Sequence, residues 1–211
     1  MILEPDQRLA AEFGFDVDGQ ARGSTKRRHW PNGVVPYTVN SSLSSQPKAM
    51  QAIRGAMDLW SSRTCIRFIP RTTEKAYIEF FKGKGCWSYV GRIGKKQLIS
   101  LGKRCWRKGT VSHEIGKAGN FKKYSASSIN SLGTPYDYGS IMHYSGKSFT
   151  KNGKPTIVPK KIGTVLGQRQ GPSAIDVLQM NRLYKCSGPS SFGSPKHDAL
   201  LQKEKMSIHL I

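Results

Sequence analysis

Met50, Ile53, Met57 and Trp60 recur at spacings of three and four residues, the repeat that lays one apolar stripe along an α-helix. The stripe predicts a helix over about 46–62. Pro47 falls in its first turn, where a missing N–H costs nothing, and Ser44 or Ser45 is available as a cap. Such a helix must bury its stripe against a second layer. The flanking sequence supplies one. Val34-Val35-Pro36-Tyr37-Thr38-Val39 reads as a strand before the helix, with Pro36 suited to an edge or a strand start. Ile66 to Ile69, Tyr77 to Phe81 and Gln97 to Leu101 read as strands after it, joined by short glycine-containing loops. The N-terminal half is therefore a helix packed on a sheet, an α/β or α+β layer.

The second half is patterned differently. Thr110 to Lys117 makes a short helix, and 125–172 is irregular and rich in Gly, Ser, Pro and Tyr. A further helix opens at Ser173, whose pairing with Asp176 resembles a capping box. It should turn Ile175, Leu178 and Leu183 inward and end at Cys186. Residues 1–29 read as a polar leader ending in the basic run Lys26-Arg27-Arg28-His29, a natural target for proteolysis, and 187–211 as a flexible tail.

Charge and cysteines narrow the function classes. The 211 residues carry a formal net charge of +21. The Lys and Arg residues are spread along the chain and match no nucleic-acid-binding module, so loose association with polyanions is expected rather than specific nucleic-acid recognition. No run approaches the ~18–20 apolar residues of a membrane span, and Met1 to Ala10 lacks the basic and apolar regions of a signal peptide. Cys65, Cys86, Cys105 and Cys186 contain no C-x-x-C pair. Four cysteines at such spacing suit two disulfides in any of three connectivities, or four buried thiols in a cytosolic protein. The sequon Asn40-Ser41-Ser42 tilts the balance toward secretion.

The densest chemical signal is Thr110-Val111-Ser112-His113-Glu114-Ile115-Gly116. In H-E-x-x-H, two histidines one turn apart share a helical face and bind one Zn²⁺, while the glutamate deprotonates the metal-bound water. Around this pair stand Trp30-Pro31-Asn32-Gly33-Val34-Val35-Pro36-Tyr37, Gly85-Cys86-Trp87-Ser88-Tyr89-Val90-Gly91, Gln97-Leu98-Ile99-Ser100-Leu101-Gly102 and Pro135-Tyr136-Asp137-Tyr138-Gly139-Ser140-Ile141-Met142-His143-Tyr144. In that order they resemble the astacin family of secreted zinc metalloendopeptidases, within the metzincins, from about Trp30 to Cys186. The resemblance implies an α+β catalytic domain over 30–186, with an N-terminal twisted sheet and helices and a mostly irregular C-terminal half carrying one long helix. It implies disulfides Cys65–Cys186 and Cys86–Cys105, Zn²⁺ as cofactor, and His113 as metal ligand. Glu114 becomes general base and then acid. Tyr144 becomes the oxyanion support and a weak alternative ligand, and Met142 the floor of the Met-turn; His143 has no ligand role. Residues 97–101 match the edge strand that aligns an extended substrate, and 1–29 would be the remnant of a propeptide cleaved between Arg22 and Arg28.

The departure from the pattern weighs as much as the match. In H-E-x-x-H-x-x-G-x-x-H the later histidines and glycine should fall at 117, 120 and 123, where this chain has Lys117, Asn120 and Lys123. Gly116-Lys117-Ala118-Gly119-Asn120-Phe121-Lys122-Lys123-Tyr124 resembles a family segment that lies beyond the third histidine. An internal deletion joining the two explains all three changes. A catalytic zinc site wants three protein ligands and an open position, and Lys117 is a poor ligand because binding needs its neutral amine. The expectation is a secreted, astacin-like zinc metalloendopeptidase acting on protein or peptide substrates, impaired as written, with weak or absent zinc. A non-catalytic substrate-binding protein and a nonfunctional splice or gene-model product are the alternatives. The basic residues Lys95, Lys96, Lys103 and Arg104 suggest a preference for acidic partners.

Overall fold

The computed structural model describes residues 29–119, 132–148, 150–159 and 161–187. Most of the leader, most of the tail and Lys123 lie outside these residues. Strand β1 (Val34–Val39) follows a single 3₁₀ turn at Pro31–Gly33. A one-turn helix, α1 (Ser41–Ser44), and the long helix α2 (Pro47–Ser61) come next. Strands β2 (Arg67–Pro70), β3 (Tyr77–Phe81), β4 (Cys86–Ser88) and β5 (Lys96–Leu101) complete one sheet in the order β2-β1-β3-β5-β4. Only β4 runs antiparallel to its neighbour. Helices α3 (Lys108–Ala118) and α4 (Ala174–Tyr184) follow, and the described residues between them form no helix or strand. This is an α+β fold, and among the described residues its C-terminal half is mostly without helix or strand.

The apolar stripe of α2 behaves as its spacing requires. Ile53 and Trp60 are fully buried and Met57 nearly so, beneath Ile78, Phe80 and Ile99 of the sheet. Burying side chains of this size stabilises by about 1.5–3 kcal/mol each. Pro47 sits at the start of the helix, but neither Ser44 nor Ser45 caps it. Those serines instead end α1, whose own cap is Asn40, accepting from Ser42 N–H.

Two strand readings change in the fold. Pro36 does not mark an edge, because β1 lies between β2 and β3. Its missing N–H is tolerated because the ladder to β3 begins at Tyr37, one residue later. Strand β5 is not an edge either. The three-residue β4, too short to show alternation, covers it by pairing Cys86 with Leu101 and Ser88 with Ile99. The edge strand on that side is therefore β4, not 97–101.

Helix α4 opens on a capping box, Ser173 Oγ accepting from Asp176 N–H and the Asp176 carboxylate from Ser173 N–H. Its inward face is Asp176, Val177 and Met180, while Leu178 is exposed. Leu178 loses its expected place because the helix meets the core through the 176/177/180 face, which also carries the buried aspartate. Disulfides join Cys65 to Cys186, tying the end of α4 to the start of β2, and Cys86 to Cys105, tying β4 to the 3₁₀ turn after β5.

Candidate active site

Helix α3 carries the His-Glu pair through the middle of the molecule, every residue from Val111 to Ala118 being buried. Its carbonyls are held by two tryptophans: Trp60 Nε1–H donates to Ser112 O and Trp30 Nε1–H to Ala118 O, both at 3.0 Å. The second bond satisfies one of the orphan carbonyls at the helix end. Two glycines let other segments approach the helix backbone. A Cβ on Gly109 would overlap the carbonyl of Arg169, and one on Gly116 would stand 2.7 Å from Met142 Sδ. The turn bearing Met142 therefore lies directly against the helix that bears His113.

Ile141 is the knot of the site. Its carbonyl accepts from His113 Nδ1–H at 2.8 Å and from Arg169 Nη1–H at 3.0 Å, and its N–H donates to Asp176 Oδ2 at 2.8 Å. Ser140 Oγ–H donates to the other oxygen of Asp176 at 2.6 Å. Since a carbonyl only accepts, His113 carries its proton on Nδ1 and keeps a lone pair on Nε2. Burial drives the His113 pKa down to about 3, with the charges of Lys117 and Arg169 adding to the effect, so the ring is neutral.

Lys117, one turn beyond His113, is buried on the same helix, with 7 % of its surface exposed against 3 % for Glu114. Its Nζ lies 3.2 Å from Glu114 Oε2, while His113 Nε2 lies 4.0 Å from Glu114 Oε1. The glutamate is thus paired with an ammonium, and the Arg169 guanidinium also feels its charge. Burial pulls the Arg169 pKa below its usual range, and Glu114 and then Tyr144 oppose that shift. Tyr144 is half-buried two residues after Met142. His143 turns to other partners: Tyr136 Oη–H lies 2.7 Å from its Nε2, its Nδ1 is 2.8 Å from Tyr144 O, and Tyr138 stacks on its ring.

The structure thus gathers buried His113, Glu114 and Lys117 with partly buried Met142 and Arg169 into one cluster. Arg169 was invisible in the sequence, because Gln168-Arg169-Gln170-Gly171 has no periodicity. Asp176 was legible as a helix cap but not as the clamp on Ile141. The donor set does not fit a catalytic zinc. Among the described residues there is no group of three His, Cys, Asp or Glu side chains able to hold a metal ion. The helical position facing His113 holds a buried cation, which would repel a dication in so poorly solvated a place.

Residues 22–119 and 116–185 match the family model for the astacin peptidases. The two matches overlap at residues 116–119. The zinc metalloproteinase nas-15 of Caenorhabditis elegans is 38% identical over 204 residues, covering 82% of this chain and 35% of the relative. Protein SpAN of Strongylocentrotus purpuratus is 37% identical over 231 residues, covering 88% of this chain and 37% of the relative. The chain thus spans a little over a third of the length of these relatives. High choriolytic enzyme 1, a hatching enzyme zinc-protease of the medaka fish Oryzias latipes, superposes with a TM-score of 0.67 at 31% identity, over 75% of this chain and 94% of that one. With a family match running almost unbroken from 22 to 185 and a shared metzincin-like α+β fold, the chain belongs to the astacin family of zinc metalloproteases.

Proposed function

We propose that this chain is a zinc-metalloendopeptidase domain over 30–186 whose hydrolysis of protein substrates is crippled, because its metal centre has been cut down to His113. The observation that carries this reading is the buried Lys117–Glu114 ion pair. A carboxylate with an ammonium 3.2 Å away is a poor general base, since that charge opposes the proton it would have to take from water. Tyr144 and Met142 keep their places in the sequence, yet with one histidine there is no site to bring a water between Glu114 and a scissile carbonyl.

An internal deletion accounts for the change. The match to SpAN extends over 231 residues, more than the 211 of this whole chain, so the relative carries residues here that this chain lacks. The split of the family match into two segments that meet at 116–119 supports a junction there, just after His113-Glu114-Ile115-Gly116. The disulfides support a secreted or extracellular location, since such bonds persist in oxidising compartments. Residues 1–29 then read as a propeptide remnant. A second reading, a non-catalytic protein that holds extended peptides, is favoured by the sheet edge at β4, which has no further strand beside it among the described residues.

The test is a zinc titration of the folded chain alongside cleavage of a generic protein substrate. Negligible zinc uptake, negligible cleavage and a melting temperature indifferent to chelator are expected. Inserting the corresponding segment of nas-15 after Gly116 should restore both zinc binding and chelator-sensitive cleavage. Stoichiometric, tight zinc and robust cleavage by the uninserted chain would overturn the reading. Capture of peptides without cleavage would favour the second reading.

A further inference from the structure

Residues 80–113 contain nine Lys and Arg and no Asp or Glu. The fold concentrates four of the nine at one corner of the sheet. There the loop after β3 lies against the turn after β5: Gly102 N–H donates to Gly85 O at 3.0 Å, and a Cβ on Gly102 would stand 3.1 Å from Gly83 O. Lys82 and Lys84 flank Gly83, while Lys103 and Arg104 follow Gly102, so backbone contact brings the two basic pairs side by side. All four side chains are exposed. None makes an ion pair with a carboxylate among the described residues, whereas Lys96, at the far end of β5, is paired with Glu79 at 2.8 Å. The Cys86–Cys105 bond clamps the corner from within, so the four charges sit on a stiff platform.

We propose that this corner, Lys82, Lys84, Lys103 and Arg104, binds a sulfated polysaccharide. Four unpaired cations on a rigid surface repel one another, and a linear polyanion relieves that repulsion while releasing its condensed counterions. Nothing in the patch reads bases: no helix or ribbon projects from it to enter a groove, and the corner is a turn packed on a turn. The chain's two disulfides belong to oxidising compartments outside the cytosol, where the abundant polyanions are sulfated glycans. The four side chains are exposed whereas His113 and Glu114 are buried, and occupancy of the corner does not depend on peptidase activity.

The experiment measures binding of the folded chain to heparin across a salt series. Four phosphate-like contacts predict a loss of about a hundredfold in affinity between 50 and 200 mM salt. The variant Lys82→Gln/Lys84→Gln/Lys103→Gln/Arg104→Gln should bind at least about tenfold more weakly with a flatter salt slope. A control with the same charge loss elsewhere, Lys48→Gln/Arg54→Gln/Lys151→Gln/Lys154→Gln, should stay within about threefold of the parent. All eight positions are exposed, and an unchanged cooperative melt verifies that each variant is folded. Equal losses in the two variants would show a net-charge effect and overturn the site, as would failure of the parent to bind heparin. Single-stranded DNA bound more tightly than heparin through the same four residues would overturn the polysaccharide assignment in favour of nucleic acid.

Discussion

Glu114 and Lys117 form a buried ion pair at the helical positions where the family motif has its glutamate and second histidine. The pair is buried, so each charge depends on the other, and removing one leaves the other stranded in a low-dielectric place. Lys117→Met should therefore destabilise the fold by about 3–5 kcal/mol at neutral pH. The double variant Glu114→Gln/Lys117→Met should recover most of that loss, because no stranded carboxylate remains and Arg169 keeps its carbonyl acceptors. Urea denaturation of the two single variants and the double variant measures the coupling. A near-neutral Lys117→Met would show that Arg169 alone supports Glu114.

At the scale of elements, α3 is held by how closely its backbone is approached. Gly109→Ala sets a methyl into the backbone carbonyl of Arg169, which has nowhere to move, and should cost more than about 3 kcal/mol or prevent folding. Gly116→Ala meets the end of the flexible Met142 side chain instead and should cost about 1–2 kcal/mol. The order of the two melting temperatures checks this, and a milder Gly109→Ala would refute the packing argument. Helix α4 contributes Tyr184, whose hydroxyl is placed 3.4 Å from both Trp30 N and Gly119 O. Burial raises its pKa to about 12, from an ordinary 10. Between those values the unfolded chain has released the phenol proton and the folded chain still holds it, so this residue's contribution to stability falls as pH rises from 10 to 12. Tyr184→Phe should flatten that part of the stability–pH profile, measured by denaturation at each pH.

For the whole molecule, the two disulfides join parts that differ greatly in sequence separation, 121 residues for Cys65–Cys186 and 19 for Cys86–Cys105. Loop-closure entropy ranks them: replacing the first pair by serine should cost about 4–5 kcal/mol and the second about 3. Guanidinium unfolding of the two double-serine variants tests the ranking, and reversed losses would point to local packing rather than chain entropy. The long bridge matters because the described residues of the C-terminal half hold little regular structure besides α4. Its irregular stretch is positioned by Asp176 on the Ser140–Ile141 turn, by Arg169 on the Ile141 and His143 carbonyls, and by the fastening of α4 to β2.

Periodicity alone determined α2, β1, β3 and β5, because their apolar faces repeat at 3.6 or 2 residues and must meet a second layer. The motif order made the astacin relationship legible, and simple counting from His113 exposed the lysines at 117 and 123. What the sequence could not settle were relations between residues far apart in the chain. β4 is three residues long and carries no alternation, so only its pairing with β5 shows which strand forms the edge. Leu178 and Val177 are equally apolar, and the packing of α4 decides which is buried. Lys117 could have pointed to water on a surface helix. Its burial beside Glu114 follows from the two tryptophans and the Met142 turn that close around α3, contacts spanning from 26 residues at Gly116–Met142 to 88 at Trp30–Ala118. That lysines stand at 117 and 123 where the motif has histidines is written in the sequence. That an ion pair fills their place is decided by the tertiary structure, because only a closed, poorly solvated site makes the ammonium seek the nearest carboxylate.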